Sequence, residues 1–207
     1  MKRIILPILI ATLLWFVMFS PLTAPHLNFW LAMSLSGIVL ALISFSLGGG
    51  YLKRSLKEDF RLSDIPLGVA IGALLWAIFW VGDKVAVWMF PFAEGQIGTI
   101  YAMRDGTSWT LIGLLLFLVV GPAEEIFWRG YVQHSLGEKF SPTIAFLATT
   151  AIYTLVHIWS LNFMLLVAAA VAGGLWGLMY RLWPKRLWAL VISHAVWDMA
   201  VFVLFPI

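Results

Sequence analysis

Three short motifs in the second half of the chain combine acidic, basic and imidazole side chains at a spacing of four residues. The pairs are Glu125/Arg129, Tyr153/His157 and His194/Asp198, with Glu124 next to the first of them. Four residues of an α-helix leave about 40° of net rotation, so the members of each pair share one helix face. Glu124 points about 100° away from Glu125, which predicts different partners for the two carboxylates. Carboxylates and imidazoles grouped in this way can activate water by general base catalysis or bind a divalent ion.

The charges of these motifs do not cancel. Glu124, Glu125 and Asp198 carry three negative charges when ionised, and Arg129 returns one positive charge. The remaining two negative charges are too costly to leave uncompensated in a low-dielectric interior. One divalent cation bound with neutral imidazoles would neutralise them, in a site of His and carboxylate ligands that suits zinc. Two protons would neutralise them as well, in a hydrogen-bonded carboxyl cluster that could relay protons.

The composition shows what must position these motifs. Of 207 residues, 62% are hydrophobic and 11% are charged, whereas soluble domains carry about 25% charged residues. A soluble enzyme is excluded, and the expected fold is all-α, a polytopic transmembrane helix bundle of about seven spans, with six to eight possible. We expect one integral membrane domain over residues 1–207. The predicted spans are 4–20, 28–47, 67–90, 110–136, 142–160, 162–181 and 187–205.

The basic residues predict how the bundle lies in the membrane. With the N-terminus on the cytoplasmic side, ten Lys and Arg residues fall on the inner side of the seven spans and two fall on the outer side. This asymmetry follows the positive-inside rule. We therefore predict a multi-pass protein with a cytoplasmic N-terminus in the plasma membrane of a prokaryote. The net charge of +3 is small, so the lipid bilayer is an expected partner and nucleic acid is not.

The motifs lie at similar depths in their predicted spans. At 1.5 Å per residue, Glu124 is roughly 18 Å from the inner helix end, His157 about 22 Å and His194 about 11–15 Å. Placing an ionisable side chain at this depth costs free energy, so each such residue is expected to have a functional or structural role. Pro122, two residues before Glu124, predicts a bend in the helix, since proline removes a backbone hydrogen bond. We expect the three helices to converge on one hydrated pocket.

The motifs resemble those of the CAAX-protease and bacteriocin-processing family of intramembrane proteases, also called CPBP or ABI. The family patterns are Glu-Glu-x-x-x-Arg, Phe-x-x-x-His and His-x-x-x-Asn/Asp, and they match this chain in order and placement over about residues 110–200, the protease-like core. Two departures are Tyr153 for Phe, which adds a hydroxyl group, and Asp198 for Asn, which adds a charge.

The resemblance implies an endopeptidase that cleaves a membrane-associated protein or peptide, of CAAX type or related, with activated water. On this hypothesis Glu124 is the general base for a water molecule held by a divalent metal, with zinc as the expected ion. Glu125 pairs with Arg129 and shapes the site, and the sequence leaves open that the two glutamates exchange these roles. The predicted catalytic residues are Glu124, Glu125, His157 and His194. The predicted metal ligands are His157, His194 and Asp198. Arg129, Tyr153 and Asp198 are expected to support the substrate or the site, with Asp198 either a ligand or a partner that orients His194.

Two other functions remain open on the sequence. A proton-coupled membrane carrier would use the same buried acids as a relay, and it predicts pH-driven flux without stoichiometric metal. A non-catalytic immunity or binding protein of the same fold would keep its activity when Glu124 or His157 is replaced.

Overall fold

The computed structural model describes residues 2–207. These residues form nine longer helices, one 3-10 turn at Ala24–His26 and no strand. Seven of the helices are long and apolar enough to cross a membrane, which confirms the predicted all-α polytopic bundle. Every end of the seven predicted spans falls within three residues of the observed end. The helices are α1 Lys2–Phe19, α2 Phe29–Leu47, α3 Gly49–Glu58, α4 Asp64–Met89, α5 Ala93–Ala102, α6 Trp109–Gly137, α7 Pro142–Ser160, α8 Phe163–Leu182 and α9 Leu187–Leu204.

Large apolar side chains cover the outside of the bundle. Leu6, Leu13 and Leu42 are each about 60% exposed, and Trp88 is 84% exposed. Such a surface would aggregate in water, and it suits contact with lipid. The polar side chains of the three motifs are buried between the helices instead.

Two shorter helices lie between the predicted spans. In α3, Leu52 and Ser55 are buried against the bundle, while Lys53, Arg54 and Lys57 are exposed. This division between an apolar and a cationic face is typical of helices that lie in a membrane interface. The second short helix, α5, connects α4 and α6 on the opposite side of the bundle.

The helix α6, which carries the first motif, is not a regular α-helix. Residues 116–120 and 126–133 are π-helical, so wider turns lie on both sides of Glu124 and Glu125. The amide of Gly121 donates a hydrogen bond to the carbonyl of Leu116, five residues earlier. The disturbance that Pro122 predicts thus takes the form of a π-helical turn directly before it. Turns of this kind are frequent at functional sites.

Glycines allow α9, which carries the third motif, to pack closely against its neighbours. A Cβ atom on Gly68 of α4 would lie 2.7 Å from the carbonyl oxygen of Ala189, and one on Gly72 would lie 3.0 Å from that of Ser193. A Cβ atom on Gly121 of α6 would lie 3.0 Å from the amide nitrogen of Ala195. These contacts give Gly68, Gly72 and Gly121 a packing role, since small residues of this kind permit close approach of membrane helices.

The connection between α7 and α8 spans only two residues. The last turn of α7, His157–Ser160, is a 3-10 helix. Leu161 follows in the left-handed conformation, with φ at +51°. The side chain of Asn162 then caps α8 by accepting a hydrogen bond of 2.9 Å from the amide of Leu165. The tight turn fixes His157 at the end of α7, beside the bundle core.

Candidate active site

The predicted pair of Glu125 and Arg129 is formed and completely buried. Arg129 Nη1 donates a hydrogen bond of 2.7 Å to Glu125 Oε1, and the two side chains are 1% and 0% exposed. Arg129 Nη2 donates a second hydrogen bond, of 3.0 Å, to the carbonyl oxygen of Gly173 on α8. The guanidinium group therefore joins the stretch of α6 around Glu125 to α8. Removing one partner of a buried ion pair leaves an uncompensated charge.

Glu125 also contacts the third motif. His194 Nδ1 lies 2.9 Å from the same Oε1 atom of Glu125 that Arg129 contacts. The imidazole stacks on the indole of Trp176, with ring centres 3.9 Å apart and an interplanar angle of 18°. The other ring nitrogen, Nε2, lies 3.7 Å from Asp198 Oδ2, which is too far for a hydrogen bond. Glu125 and Trp176 thus orient His194, and its Nε2 atom is left for a reacting molecule.

Glu124 has a different partner, as the 100° offset predicts. The hydroxyl group of Tyr153 on α7 donates a hydrogen bond of 2.9 Å to Glu124 Oε2. The other oxygen of Glu124, Oε1, makes no hydrogen bond within residues 2–207. It is not fully enclosed by the protein, whereas Oε2 of Glu125 is. The Tyr153 ring is held by Gly173, where a Cβ atom would lie 2.6 Å from Tyr153 Cδ1. Of the two glutamates, Glu124 has the oxygen that a water molecule can reach.

His157 is buried, and both of its ring nitrogens are engaged. It is 6% exposed and does not face lipid. Nδ1 lies 2.8 Å from the carbonyl oxygen of Tyr153, and Nε2 lies 3.0 Å from Nε1 of Trp15 on α1. Because the indole N–H can only donate, Nε2 must accept, and Nδ1 then carries the proton and donates to Tyr153. The ring is therefore held as one neutral tautomer.

Trp15 is a site residue that the sequence analysis missed. It is completely buried, and it packs edge-on against both Trp128 and His157. Trp15 lies about one turn from the end of α1, at a position where interfacial tryptophans are also expected. With 12 tryptophans in the chain, this position does not single it out.

The structure thus brings all seven predicted residues into the buried part of the bundle, in two connected groups. One group runs from Glu124 through Tyr153 to His157. The other joins Glu125 to Arg129 and His194, with Asp198 beside His194. The groups meet where Glu124 and Glu125 are adjacent and where Arg129 lies over the Tyr153 ring, 5.0 Å from its centre.

The predicted zinc ligands do not assemble into a ligand cluster. A metal ion needs a free lone pair on an imidazole nitrogen, and His157 already uses its only one to accept the hydrogen bond from Trp15. Only His194 and Asp198 are then left of the three ligands. Within residues 2–207, no group of three or more His, Asp or Glu side chains is placed to hold a metal ion. The arrangement of these side chains does not fit the predicted three-ligand zinc site. Whether the protein binds zinc stays a prediction, which metal analysis of the purified protein would test.

Three enclosed polar atoms of the site have no hydrogen-bond partner in the described chain. They are Glu125 Oε2, Asp198 Oδ2 and Arg129 Nε. The two carboxylate oxygens could each accept a proton or a hydrogen bond. Such unsatisfied groups are rare in protein interiors and are frequently found at functional sites.

Comparison with known proteins agrees with the motifs. The family model described as Type II CAAX prenyl endopeptidase Rce1-like matches residues 106–200. No curated protein and no solved structure matches the chain. The matched stretch includes all seven predicted site residues, while Trp15 lies outside it. Residues 106–200 of this integral multi-pass membrane protein are similar to the Rce1-like family of CAAX-type proteases.

Proposed function

We propose that the protein is an intramembrane endopeptidase that hydrolyses a peptide bond of a membrane-associated protein, with Glu124 as the general base. The observation that carries this proposal is the difference between the two glutamates. Glu124 is fixed through one oxygen by Tyr153, and its other oxygen is free. Glu125 instead uses one oxygen for both Arg129 and His194.

In this mechanism Glu124 takes a proton from a water molecule at Oε1. The water oxygen forms a bond to the scissile carbonyl carbon, and the carbonyl oxygen becomes an oxyanion. When the oxyanion collapses, the C–N bond breaks and the amine leaves with the proton from Glu124. General base catalysis of this kind contributes typically 10²- to 10⁴-fold to the rate. The hydrogen bond from Tyr153 keeps the carboxylate in place while it accepts and returns the proton.

His194 is the group we assign to the oxyanion. Its Nδ1 atom is held by Glu125, so Nε2 faces away from that carboxylate and towards Asp198. A protonated His194 has a carboxylate on each side, and its Nε2–H can donate to the oxyanion. Electrostatic stabilisation of this kind is usually a large contribution to catalysis. Glu125 and Arg129 act through His194 and are positioning residues.

The test is cleavage by the purified full-length chain in proteoliposomes. The substrate is a fluorogenic CAAX-type peptide, with and without a prenyl group. Glu124→Gln keeps the size of the side chain and removes the base, so cleavage should fall at least 100-fold while thermal unfolding is little changed. Glu138→Gln is the matched control, since Glu138 is 72% exposed at the end of α6. Full cleavage by Glu124→Gln would overturn the assignment.

One observation also favours a proton-coupled carrier. The enclosed oxygens Glu125 Oε2 and Asp198 Oδ2 have no partner within the described residues, and carboxylates that bind and release protons can serve a relay. This alternative predicts proton flux into liposomes that disappears in Asp198→Asn. An endopeptidase without carrier activity predicts no flux in either protein.

A further inference from the structure

A cavity of about 220 Å³ lies between α4, α8 and α9, and α5 covers one end of it. It exists because α4 and α9 are in close contact at one end of the bundle and separate towards the other. A Cβ atom on Gly68 or Gly72 of α4 would lie within 3.0 Å of a carbonyl oxygen of α9. A Cβ atom on Gly82, further along α4, would have no neighbour within 4 Å. The cavity occupies the space that this divergence opens.

The cavity is apolar, and it opens sideways to lipid. Its lining is aliphatic and aromatic, apart from Asp83 at one end. Ile78 of α4 and Val167 and Val171 of α8 belong to this lining, and they are 38%, 41% and 38% exposed on the outside of the bundle. A closed apolar cavity of about 150 Å³ can stay dry and bind an apolar molecule. A larger one whose mouth faces the hydrocarbon layer therefore favours an apolar ligand that comes from that layer.

The cavity extends over the depth of one leaflet. With 26 residues, α4 is about 39 Å long, somewhat longer than the hydrocarbon core of about 30 Å. Asp83 lies about 9 Å from the end of α4 at Met89, and Ile78 lies roughly 16 Å from it. Asp83 is thus near the border of the hydrocarbon core, and Ile78 is near its middle. One acyl chain of a phospholipid covers the same range of depth.

The α5 end of the cavity provides the polar contacts that a headgroup requires. Asp83 and Tyr101 are the lining residues there whose side chains carry oxygen. Lys84 Nζ lies 2.8 Å from Asp83 Oδ2, so this pair has no net charge. The guanidinium of Arg104 lies over the Tyr101 ring, 4.7 Å from its centre, and Nη1 donates a hydrogen bond of 3.0 Å to the carbonyl oxygen of Phe202, another lining residue. Within residues 2–207 Arg104 forms no ion pair, and a guanidinium group is well suited to bind phosphate.

The wall of the cavity nearest the candidate active site is Trp197 of α9. Its ring centre lies 6.4 Å from that of His194 and 5.5 Å from that of Trp176, the indole that stacks on His194. Phe79 of α4, which also lines the cavity, packs edge-on against Trp197 with ring centres 4.8 Å apart. A chain in the cavity would therefore pack behind the aromatic rings that hold His194.

We propose that this cavity binds one acyl chain of a phospholipid from the leaflet on the α5 side, with the phosphate group held by Arg104. The ligand is a lipid because the mouth of the cavity faces the hydrocarbon layer and an unpaired cation lies at headgroup level. The acyl chain fills the space between α4, α8 and α9 and packs against Trp197. The inference goes beyond the proposed function, and its test does not depend on cleavage.

Photo-cross-linking on the full-length chain locates the lipid. The probe is a phosphatidylglycerol with a diazirine near the middle of one acyl chain, present at a low proportion in phosphatidylcholine proteoliposomes. We expect cross-links to Ile78 and Trp197 to exceed those to Leu6 and Leu13 roughly tenfold, as for a specific site with a tenfold higher affinity than the general surface. Leu6 and Leu13 of α1 are the reference for that surface, since they are about 60% exposed.

Two variants test the cavity and the phosphate contact separately. Gly82→Leu adds a side chain in the open space beside the cavity, so cross-linking there should fall to the level of the α1 surface. Arg104→Gln removes one partly exposed ion pair, so the affinity for phosphatidylglycerol, measured by competition with the unlabelled lipid, should fall roughly two- to fivefold. Gly98→Leu is the matched control, because Gly98 of α5 also has no neighbour within 4 Å but does not line the cavity. It should leave cross-linking unchanged.

Three other outcomes would overturn the proposal. In the parent protein, equal cross-linking of the cavity and of α1 would show that no specific lipid is bound. Undiminished cavity cross-linking in Gly82→Leu would place the lipid elsewhere, and equal competition by diacylglycerol and phosphatidylglycerol would exclude the phosphate contact. In Glu124→Gln, displacement of the probe by a prenylated CAAX-type peptide would assign the cavity to the substrate instead. Cross-linking as expected, in a protein that cleaves no peptide, would support the lipid site while the proposed function fails.

Discussion

Trp15→Phe tests whether the first helix belongs to the active site. The substitution keeps an aromatic ring and removes the N–H that Nε2 of His157 accepts at 3.0 Å. His157 is 6% exposed, so water replaces the lost donor poorly. A buried acceptor without a partner costs about 1–3 kcal/mol. The ring can regain a partner only by rotating, which would break its hydrogen bond to the Tyr153 carbonyl.

Trp30→Phe is the matched control for the lost indole. Trp30 is also buried, and its Nε1 atom donates to the carbonyl of Met103, at 2.9 Å, away from the site. Both variants lose a buried indole and its hydrogen bond, so thermal unfolding should show comparable destabilisation. Peptide cleavage, measured well below the unfolding temperature, should fall about tenfold or more in Trp15→Phe, which corresponds to about 1.4 kcal/mol. It should be unchanged in Trp30→Phe.

A double-mutant cycle separates the hydrogen bond from general packing. In a His157→Ala background the acceptor is absent, so Trp15→Phe should lower the free energy of unfolding by less than it does in the parent protein. The expected coupling energy is about 0.5–3 kcal/mol. If Trp15→Phe cleaves at the parental rate, or if it lowers the free energy of unfolding equally in both backgrounds, Trp15 does not position His157.

The remaining predictions concern the ion pair, the α8 contact and the metal. Glu125→Gln should lower the free energy of unfolding by about 3–5 kcal/mol, because it leaves the Arg129 charge buried and unpaired. Denaturant unfolding in detergent measures this change. A loss of stability as small as that caused by replacing an exposed residue would contradict the prediction. Gly173→Ala places a methyl group 2.6 Å from Tyr153 Cδ1 and should cost about 1–3 kcal/mol by overpacking and reduce cleavage. Gly174→Ala, whose nearest neighbour is 3.9 Å away, should do neither. Cleavage should survive dialysis against a chelator, because the predicted ligands do not assemble; activity that is lost and then restored by zinc would contradict this.

The membrane spans and the pairing within α6 could be predicted from the sequence because they depend on local spacing. Apolar runs define the spans, and a difference of four residues places Arg129 within reach of Glu125. The 100° offset between adjacent residues is equally local, and it separates the partners of Glu124 from those of Glu125. These features require no knowledge of how the helices are arranged.

Other features depend on contacts between helices and could not be predicted in this way. The partnership of Trp15 with His157 joins residues 142 positions apart, and no pattern in either helix indicates it. Pro122 predicts a disturbance of α6 but not its π-helical form, and the burial of one face of α3 depends on its packing against the bundle. For the same reason the charge count alone could not distinguish a bound metal ion from bound protons.

The hydrogen bonds of the site help to distinguish a bound metal ion from bound protons. A three-ligand metal site would require Trp15 to release His157 Nε2, and it would break a buried contact between α1 and α7. Protonation requires no such movement, since His194 already lies between Glu125 and Asp198. A proton on His194 and another on one of the carboxylates would bring the net charge of the motifs from −2 to zero. The arrangement therefore favours charge balance by protons over charge balance by a bound metal ion.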